Sequence, residues 1–307
     1  MADSDPRLSS EKWTIGDVTI TKVTEAGAPS PVPFWENLLA NATPAEVEEI
    51  SWLRPTWSND ENEFFASMHS FLVETPTAKI VVDTGVGNHK QRIMPMFHGL
   101  DTDFLDKFQE VWSLDEVDGV ICTHLHVDHA GWNTQLVDGE WVPTFPNAQY
   151  YFVREEFDHW KKYAESEGPD VYTQWAHDMI DGKAVFEDCV APIEKAGLIT
   201  WVDSDSQITP EISLVPTPGH SPGHVSVLIQ SKGESAILTG DLMHFVCQVA
   251  RPDWSANLDD DLVKSAESRK RIVEQYADTD TLVLGMHFPT PSGGRIVSKG
   301  DSYEFVV

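Results

Sequence analysis

The segment that most constrains this chain is His124-Leu-His126-Val-Asp128-His129, which directly follows the short apolar run Val117–Thr123. In extended backbone alternate side chains point the same way, so His124 and His126 project to one side and a single metal ion can take both imidazoles. The chain then turns, and adjacent Asp128 and His129 can face a second point nearby, offering one oxygen and one nitrogen suited to zinc. With 12 histidines in 307 residues, chance assembly of this spacing is on the order of one in a thousand. Unrelated surface histidines are the weaker explanation.

Three further ligand candidates each stand where a strand is expected to end. His220 lies in Thr-Pro-Gly-His-Ser-Pro-Gly-His, Asp241 in Leu-Thr-Gly-Asp, and His287 in Val-Leu-Gly-Met-His. Gly or Pro precedes each within two residues, which ends a strand and lets backbone approach a site closely.

In this order along the chain, from about Ile20 to the C-terminus, the signals resemble the metallo-β-lactamase superfamily. The resemblance implies an α/β protein, a four-layered αβ/βα sandwich with two metal ions at one end of the paired sheets. It further implies that His124, His126 and His220 hold the first ion, that Asp128, His129 and His287 hold the second, and that Asp241 bridges them. Asp83, in Val-Val-Asp-Thr-Gly, resembles the family's buried carboxylate that orients a metal-bound histidine, although a turn-forming Asp would also suit that place. Gly285-Met-His287-Phe-Pro-Thr-Pro-Ser-Gly-Gly-Arg-Ile and Asp241-Leu-Met-His244 resemble the methyl parathion hydrolase and lactonase branch. Acyl-homoserine lactonases commonly carry a Tyr where His244 stands here, a departure from the strict lactonase pattern.

The surrounding sequence reads as one domain over residues 1–307, strands first, then a helical insertion around 154–196, then strands again. Strand candidates are residues 17–24, Ser70–Glu74 with Lys79–Asp83 about a Thr-Pro-Thr turn, Val117–Thr123, Gln149–Val153, Ile212–Pro216, Ala236–Gly240 and Leu282–Gly285. A helix is expected over Leu262–Tyr276, and the tract Tyr172–Ile180 places Trp175 and Met179 at helical spacing.

Composition narrows the function. The 50 acidic against 21 basic residues give a formal charge of −29, which repels phosphate backbones and anionic lipid, so neither nucleic acid nor a membrane is expected as a partner. Such an excess suits a saline habitat as well as an ordinary solvated surface. Three widely spaced cysteines and the absence of a basic-then-apolar N-terminal segment point to the cytoplasm. A symmetric homodimer is the expectation for a soluble enzyme.

A water shared by two divalent ions, zinc by the ligand chemistry, is largely hydroxide near neutral pH. The expected activity is therefore a metal-dependent hydrolase of the esterase or lactonase type, in which bridging hydroxide attacks the carbonyl of a moderately apolar substrate. Asp128 and Asp241 manage the proton, and His244 faces the reacting oxygen. A phosphotriester presents a similar neutral centre and is the alternative substrate. A β-lactamase is disfavoured because one subclass carries a Cys where Asp241 stands, and no basic cluster would hold an anionic thioester. A metal-binding protein without catalysis is the remaining class, against a complete ligand set. Trp52, Trp57, Phe64, Phe65, Phe245 and Trp254 are candidates to wall an apolar pocket. His69, His89, His98, His159 and His177 read as surface or core histidines, and His224 as a support for the loop around His220.

Overall fold

The computed structural model describes residues 5–30, 32–61, 63–166 and 173–307. The first half builds strands β1 (Glu11–Ile15), β2 (Val18–Ser30), β3 (Phe64–Glu74), β4 (Lys79–Val82), β5 (Gly119–Ile121), β6 (Thr134–Val137), β7 (Glu140–Pro143), β8 (Gln149–Val153) and β9 (Ile199–Val202). The second half builds β10 (Ile212–Pro216), β11 (Val225–Ser231), β12 (Glu234–Leu238), β13 (Leu282–Leu284), β14 (Gly293–Lys299) and β15 (Ser302–Val306). Seven strands form one sheet in the order β1-β2-β3-β4-β5-β8-β9, six form a second in sequential order from β10 to β15, and β6 with β7 makes a separate hairpin.

Alternation along each strand decides what the sheets face. Val18, Ile20, Phe71, Val73, Ile80, Val82 and Ile121 from the first sheet meet Ile212, Leu214, Val225, Val227, Ile229, Leu238 and Leu284 from the second in one buried layer. The intervening residues point outward to the helices: Val120, Tyr150 and Phe152 pack in the same cluster as Phe157, Phe186 and Ile193, and Ile237 and Val283 join Ile272 and Val273. This gives the expected four layers, helix, sheet, sheet, helix. The helix Leu262–Tyr276 forms over the expected span and buries Ser265, Ser268, Arg269, Ile272, Val273 and Tyr276, the spacing of one helical face.

Helices also occupy the stretch 154–196: Arg154–Ala164, Gln174–Ile180 and Gly182–Val185, then a wider turn over Phe186–Val190, then Ala191–Ala196. Tyr172, where the second helical tract was expected to open, lies outside the described residues. The wide turn has a local cause. Pro192 has no N–H to offer the Asp188 carbonyl, and the Thr134 hydroxyl donates to that oxygen instead.

Phe64 and Phe65 open β3. The long β2 also runs on from residue 24 to Ser30, with a bulge between Thr24 and Ala26 that turns Glu25 inward.

Parallel pairing places the chemistry at one edge. β4, β5, β8 and β9 are mutually parallel, as are β12 and β13. The segments leaving the C-terminal ends of β4, β5, β8, β12 and β13 carry Asp83, His124–His129, Glu156, Asp241 and His287, respectively.

The packing predicts a sharp contrast between two leucines. Leu238→Ala, in the layer between the sheets, should cost about 2–5 kcal/mol of stability, whereas Leu136→Ala on the exposed hairpin should stay within about 0.5 kcal/mol. Denaturant titration of both variants checks this, and equal costs would contradict the layer assignment.

Candidate metal centre

Four side chains, His124, His126, His220 and Asp241, place donor atoms within 4.8 Å of one another, and Asp128, His129 and His287 form a second such group. These are the seven residues singled out from the sequence. His220 Nε2 lies 2.9 Å from His126 Nδ1 and 3.2 Å from His124 Nε2. In the other group His287 Nε2 is 3.3 Å from His129 Nε2, and each of the two nitrogens is 3.6 Å from an Asp128 oxygen.

Asp241 stands between the groups, one oxygen toward each. Its Oδ2 is 3.4 Å from His220 Nε2 and 3.7 Å from His124 Nε2. Its Oδ1 is 2.9 Å from His287 Nε2 and 3.1 Å from His129 Nε2.

The far side of each ring explains why these nitrogens converge. His129 Nδ1 is held by Asp83 Oδ2 at 2.8 Å, His220 Nδ1 by Asp259 Oδ1 at 2.8 Å, and His287 Nδ1 by the Ser67 carbonyl at 3.2 Å. The Thr123 hydroxyl donates to Asp83 (2.8 Å) and so accepts from His124 Nδ1 (3.1 Å). Each acceptor fixes the proton on Nδ1 and leaves a lone pair on Nε2, directed at the centre.

Lone pairs facing a carboxylate repel unless a cation lies among them. Asp241 Oδ1 is buried and accepts no hydrogen bond of proper geometry, and His126 Nε2 and both His244 nitrogens are likewise buried and unpartnered among the described residues. The site's electrostatics show the same demand. Burial alone would hold the His129 and His287 rings neutral, yet the carboxylates, Asp241 foremost, push both above the ordinary histidine value. Against its own burial, Asp241 is held well below the ordinary carboxylate value by His129 and His287. Burial and the neighbouring histidines instead push His124 and His126 well below the usual range, so those rings stay neutral. A donor set of five imidazoles and two carboxylates converging on two points fits divalent cations of the zinc type.

The family model of the Metallo-beta-lactamase superfamily matches residues 67–287, the stretch that contains all seven residues. The chain belongs to this superfamily. An N-acyl homoserine lactonase of Bacillus thuringiensis is 25% identical over 181 residues, 55% of this chain and 60% of the lactonase, so the match spans less than two thirds of that relative. The crystal structure of hydrolase AbOPH, in the beta-lactamase superfamily, superposes with a TM-score of 0.78 at 25% identity, covering 97% of this chain and 96% of that one. AidC, a dizinc quorum-quenching lactonase, superposes with a TM-score of 0.75 at 22% identity over 98% of both chains, a likeness of fold.

A cavity of about 460 Å³ opens onto the metallo-β-lactamase centre, with His126, Asp128, Asp241, His244 and His287 in its wall. Its other walls are largely apolar and include Phe34, Met68, Phe97, Met179, Ile180 and Phe245. Among the aromatic residues expected from the sequence, Phe245 alone lines this cavity. Trp52 and Trp57 pack on each other, Trp57 also on Phe305, and Phe64 fills the space behind Phe245. Phe65 stacks beneath the Arg7 guanidinium. Trp254 serves through its backbone: its carbonyl accepts from Gln248, whose Oε1 accepts from the N–H groups of His244 (2.7 Å) and Phe245 (3.1 Å).

His224 supports more than the His220 loop. Its Nδ1 faces Thr217, and its Nε2 accepts the Asp241 N–H at 2.9 Å. Gly240 makes this approach feasible, because at φ +57° a Cβ there would lie 2.6 Å from the His224 ring. Of the histidines outside the motifs, His89 and His98 are exposed, His177 contacts the Tyr163 hydroxyl, and His69 is buried beneath the site against Ser67.

Several supporting residues carried no local sequence signal. Asp259 sits in an acidic run that reads as solvated surface, yet it is buried between His220 and the Ala256 N–H, with the buried Arg269 guanidinium at 3.7 Å. Glu25 accepts from the N–H groups of Val86 (2.6 Å) and Gly87 (3.0 Å) and from Trp132 Nε1 (2.8 Å). It thereby ties the loop after β4 to the end of the histidine segment.

Burial raises the Glu25 carboxyl from its ordinary 4.5 to about 7. Between those values the folded state keeps a proton that the unfolded state has lost, so this group's contribution to stability is full below 4.5 and falls as pH rises toward 7. In metal-free protein the unfolding free energy of wild type minus that of Glu25→Gln should fall by on the order of 3 kcal/mol across this window. A difference that does not change with pH would show that Glu25 is ionised throughout.

Proposed function

We propose that the chain is a dinuclear metal-dependent hydrolase that cleaves the acyl C–O bond of a moderately apolar ester or lactone. The observation that carries this reading is the position of the seven-residue cluster at the floor of a largely apolar cavity, with the unpartnered His244 ring in the same wall. The homoserine lactonase relative and the dizinc AidC neighbour support the reaction class.

His124, His126 and His220 would hold one divalent ion and Asp128, His129 and His287 the other, with Asp241 shared between them; zinc suits these donors best. Such a pair supplies Lewis-acid activation of water and of the electrophilic centre at neutral pH.

The protein's own side chains do the rest. Met68, Phe97, Met179, Ile180 and Phe34 offer an apolar surface for the acyl part of the substrate, a cavity size within the usual range for small-molecule sites. Met179 and Ile180 end the helix Gln174–Ile180, which would make the stretch 154–196 a partial cap that influences substrate choice. Asp128, less buried than Asp241, faces the cavity and can hold a proton in transit. His244 is kept below the ordinary histidine value by burial, so its neutral ring can donate a hydrogen bond to a carbonyl or departing alkoxide oxygen. Its Nε2 stands 3.2 Å from Asp241 Oδ2, beside the shared carboxylate.

Two measurements test this reading. A panel of lactones, aryl esters, phosphotriesters and β-lactams, each run against a chelated control, should show carbonyl esters or lactones highest in kcat/KM. Phosphotriesters ahead of every ester and lactone would reverse the substrate assignment, and turnover unaffected by chelation would reject the metal reading. His244→Ala should lower kcat by about 10- to 1000-fold with metal content preserved, the range for losing one transition-state donor. Unchanged turnover would make His244 structural, and lost metal would make it a ligand.

A further inference from the structure

Five histidines supply nitrogens to the centre, and four of them are held from behind by a hydrogen bond from Nδ1. His126 is the exception. It presents Nδ1 to the centre, and its Nε2 is buried with no partner among the described residues. Packing must fix this ring, and the indole of Trp160 lies edge-to-face against it at 4.9 Å between centroids.

Trp160 is in turn held by Glu156, one helical turn earlier on Arg154–Ala164. Glu156 Oε1 accepts from Trp160 Nε1 at 2.6 Å and from the N–H of Leu125, the residue between His124 and His126, at 3.1 Å. Its Oε2 accepts from the Ser221 hydroxyl at 2.7 Å and the Gly223 N–H at 2.9 Å, both in the loop that follows His220. One carboxylate, 2% exposed, thus joins the two loops that carry His124, His126 and His220. Gly223 fits this clasp because a Cβ there would lie 2.5 Å from the Glu156 nitrogen.

We propose that Glu156 is a positioning residue for the His124–His126–His220 triad: it sets the separation of the two loops and, through Trp160, the orientation of His126. The proposal rests on the dinuclear reading above. It also gives the helical stretch a second role, since its first turn fastens one half of the centre. The other half depends on Asp83 and the Ser67 carbonyl, so the effect of Glu156 is selective for one ion.

Glu156→Gln tests the selectivity. The amide keeps the size of the side chain, but its NH2 faces two donors that the carboxylate oxygen had accepted, and the Leu125 and Gly223 amides cannot turn round. Cobalt(II) titration of chelator-stripped protein, followed by visible absorption and calorimetry, reads the two sites separately. The variant should weaken one site by about 10- to 100-fold, the site that His220→Ala abolishes, with an altered cobalt spectrum and the other site unchanged. Two sites of wild-type affinity, or equal weakening of both, would overturn the proposal.

If Glu156→Gln does not fold, Trp160→Phe combined with Ser221→Ala removes both side-chain donors and leaves the carboxylate. It should shift the same site in the same direction, and wild-type binding would overturn the proposal. A wild-type protein that takes up no cobalt would refute the dinuclear reading itself, a result separate from wild-type binding that Glu156→Gln leaves intact.

Discussion

The structure depends on the charge arrangement around Asp241. A buried carboxylate faces four imidazole nitrogens whose ring protons are committed to acceptors on the far side. Such an arrangement is unfavourable in a low-dielectric interior unless positive charge occupies the space between. The fold brings these groups together because two sets of parallel strands end at one edge, and the segments leaving them are pinned by buried acids. Asp83, Asp259, Glu156 and Glu25 each receive two or more hydrogen bonds or ion-pair contacts from the segments that carry or support the centre, so the site is stiffened from beneath.

This division of labour accounts for what could be read from the amino acids alone. The cluster was legible because extended backbone followed by a turn puts His124, His126, Asp128 and His129 in a spacing that chance seldom produces. The strands Gln149–Val153 and Ile212–Pro216 and the helix Leu262–Tyr276 were legible to the residue, since their apolar periodicity coincides with the faces they bury. Strands β1, β14 and β15, at or beside a sheet edge, were not expected from the sequence, because each buries a single large apolar side chain: Ile15, Ile296 and Phe305.

The supporting acids were not legible, for a physical reason. Glu156 has the local appearance of any acidic residue in the first turn of a helix, and Asp259 that of a solvated acidic loop. Their burial is decided largely by a segment far along the chain, His220 and the loop that follows it, to which the next helix adds Arg269 beside Asp259. The aromatic residues misled in the opposite direction. Trp57 and Phe64 are large enough to wall a pocket, but both are core, Trp57 against Trp52 and Phe305 and Phe64 against Phe245, and the cavity took methionines and the end of the helix Gln174–Ile180 instead.

The most direct test of this account is the metal stoichiometry of wild type and Asp241→Asn, measured by elemental analysis on protein loaded without chelator. A shared carboxylate predicts two equivalents per chain for wild type and a marked loss for the amide, which removes the anion that offsets repulsion between the two cations. A ceiling of one equivalent in wild type, or two equivalents unchanged in Asp241→Asn, would contradict the central place given to Asp241.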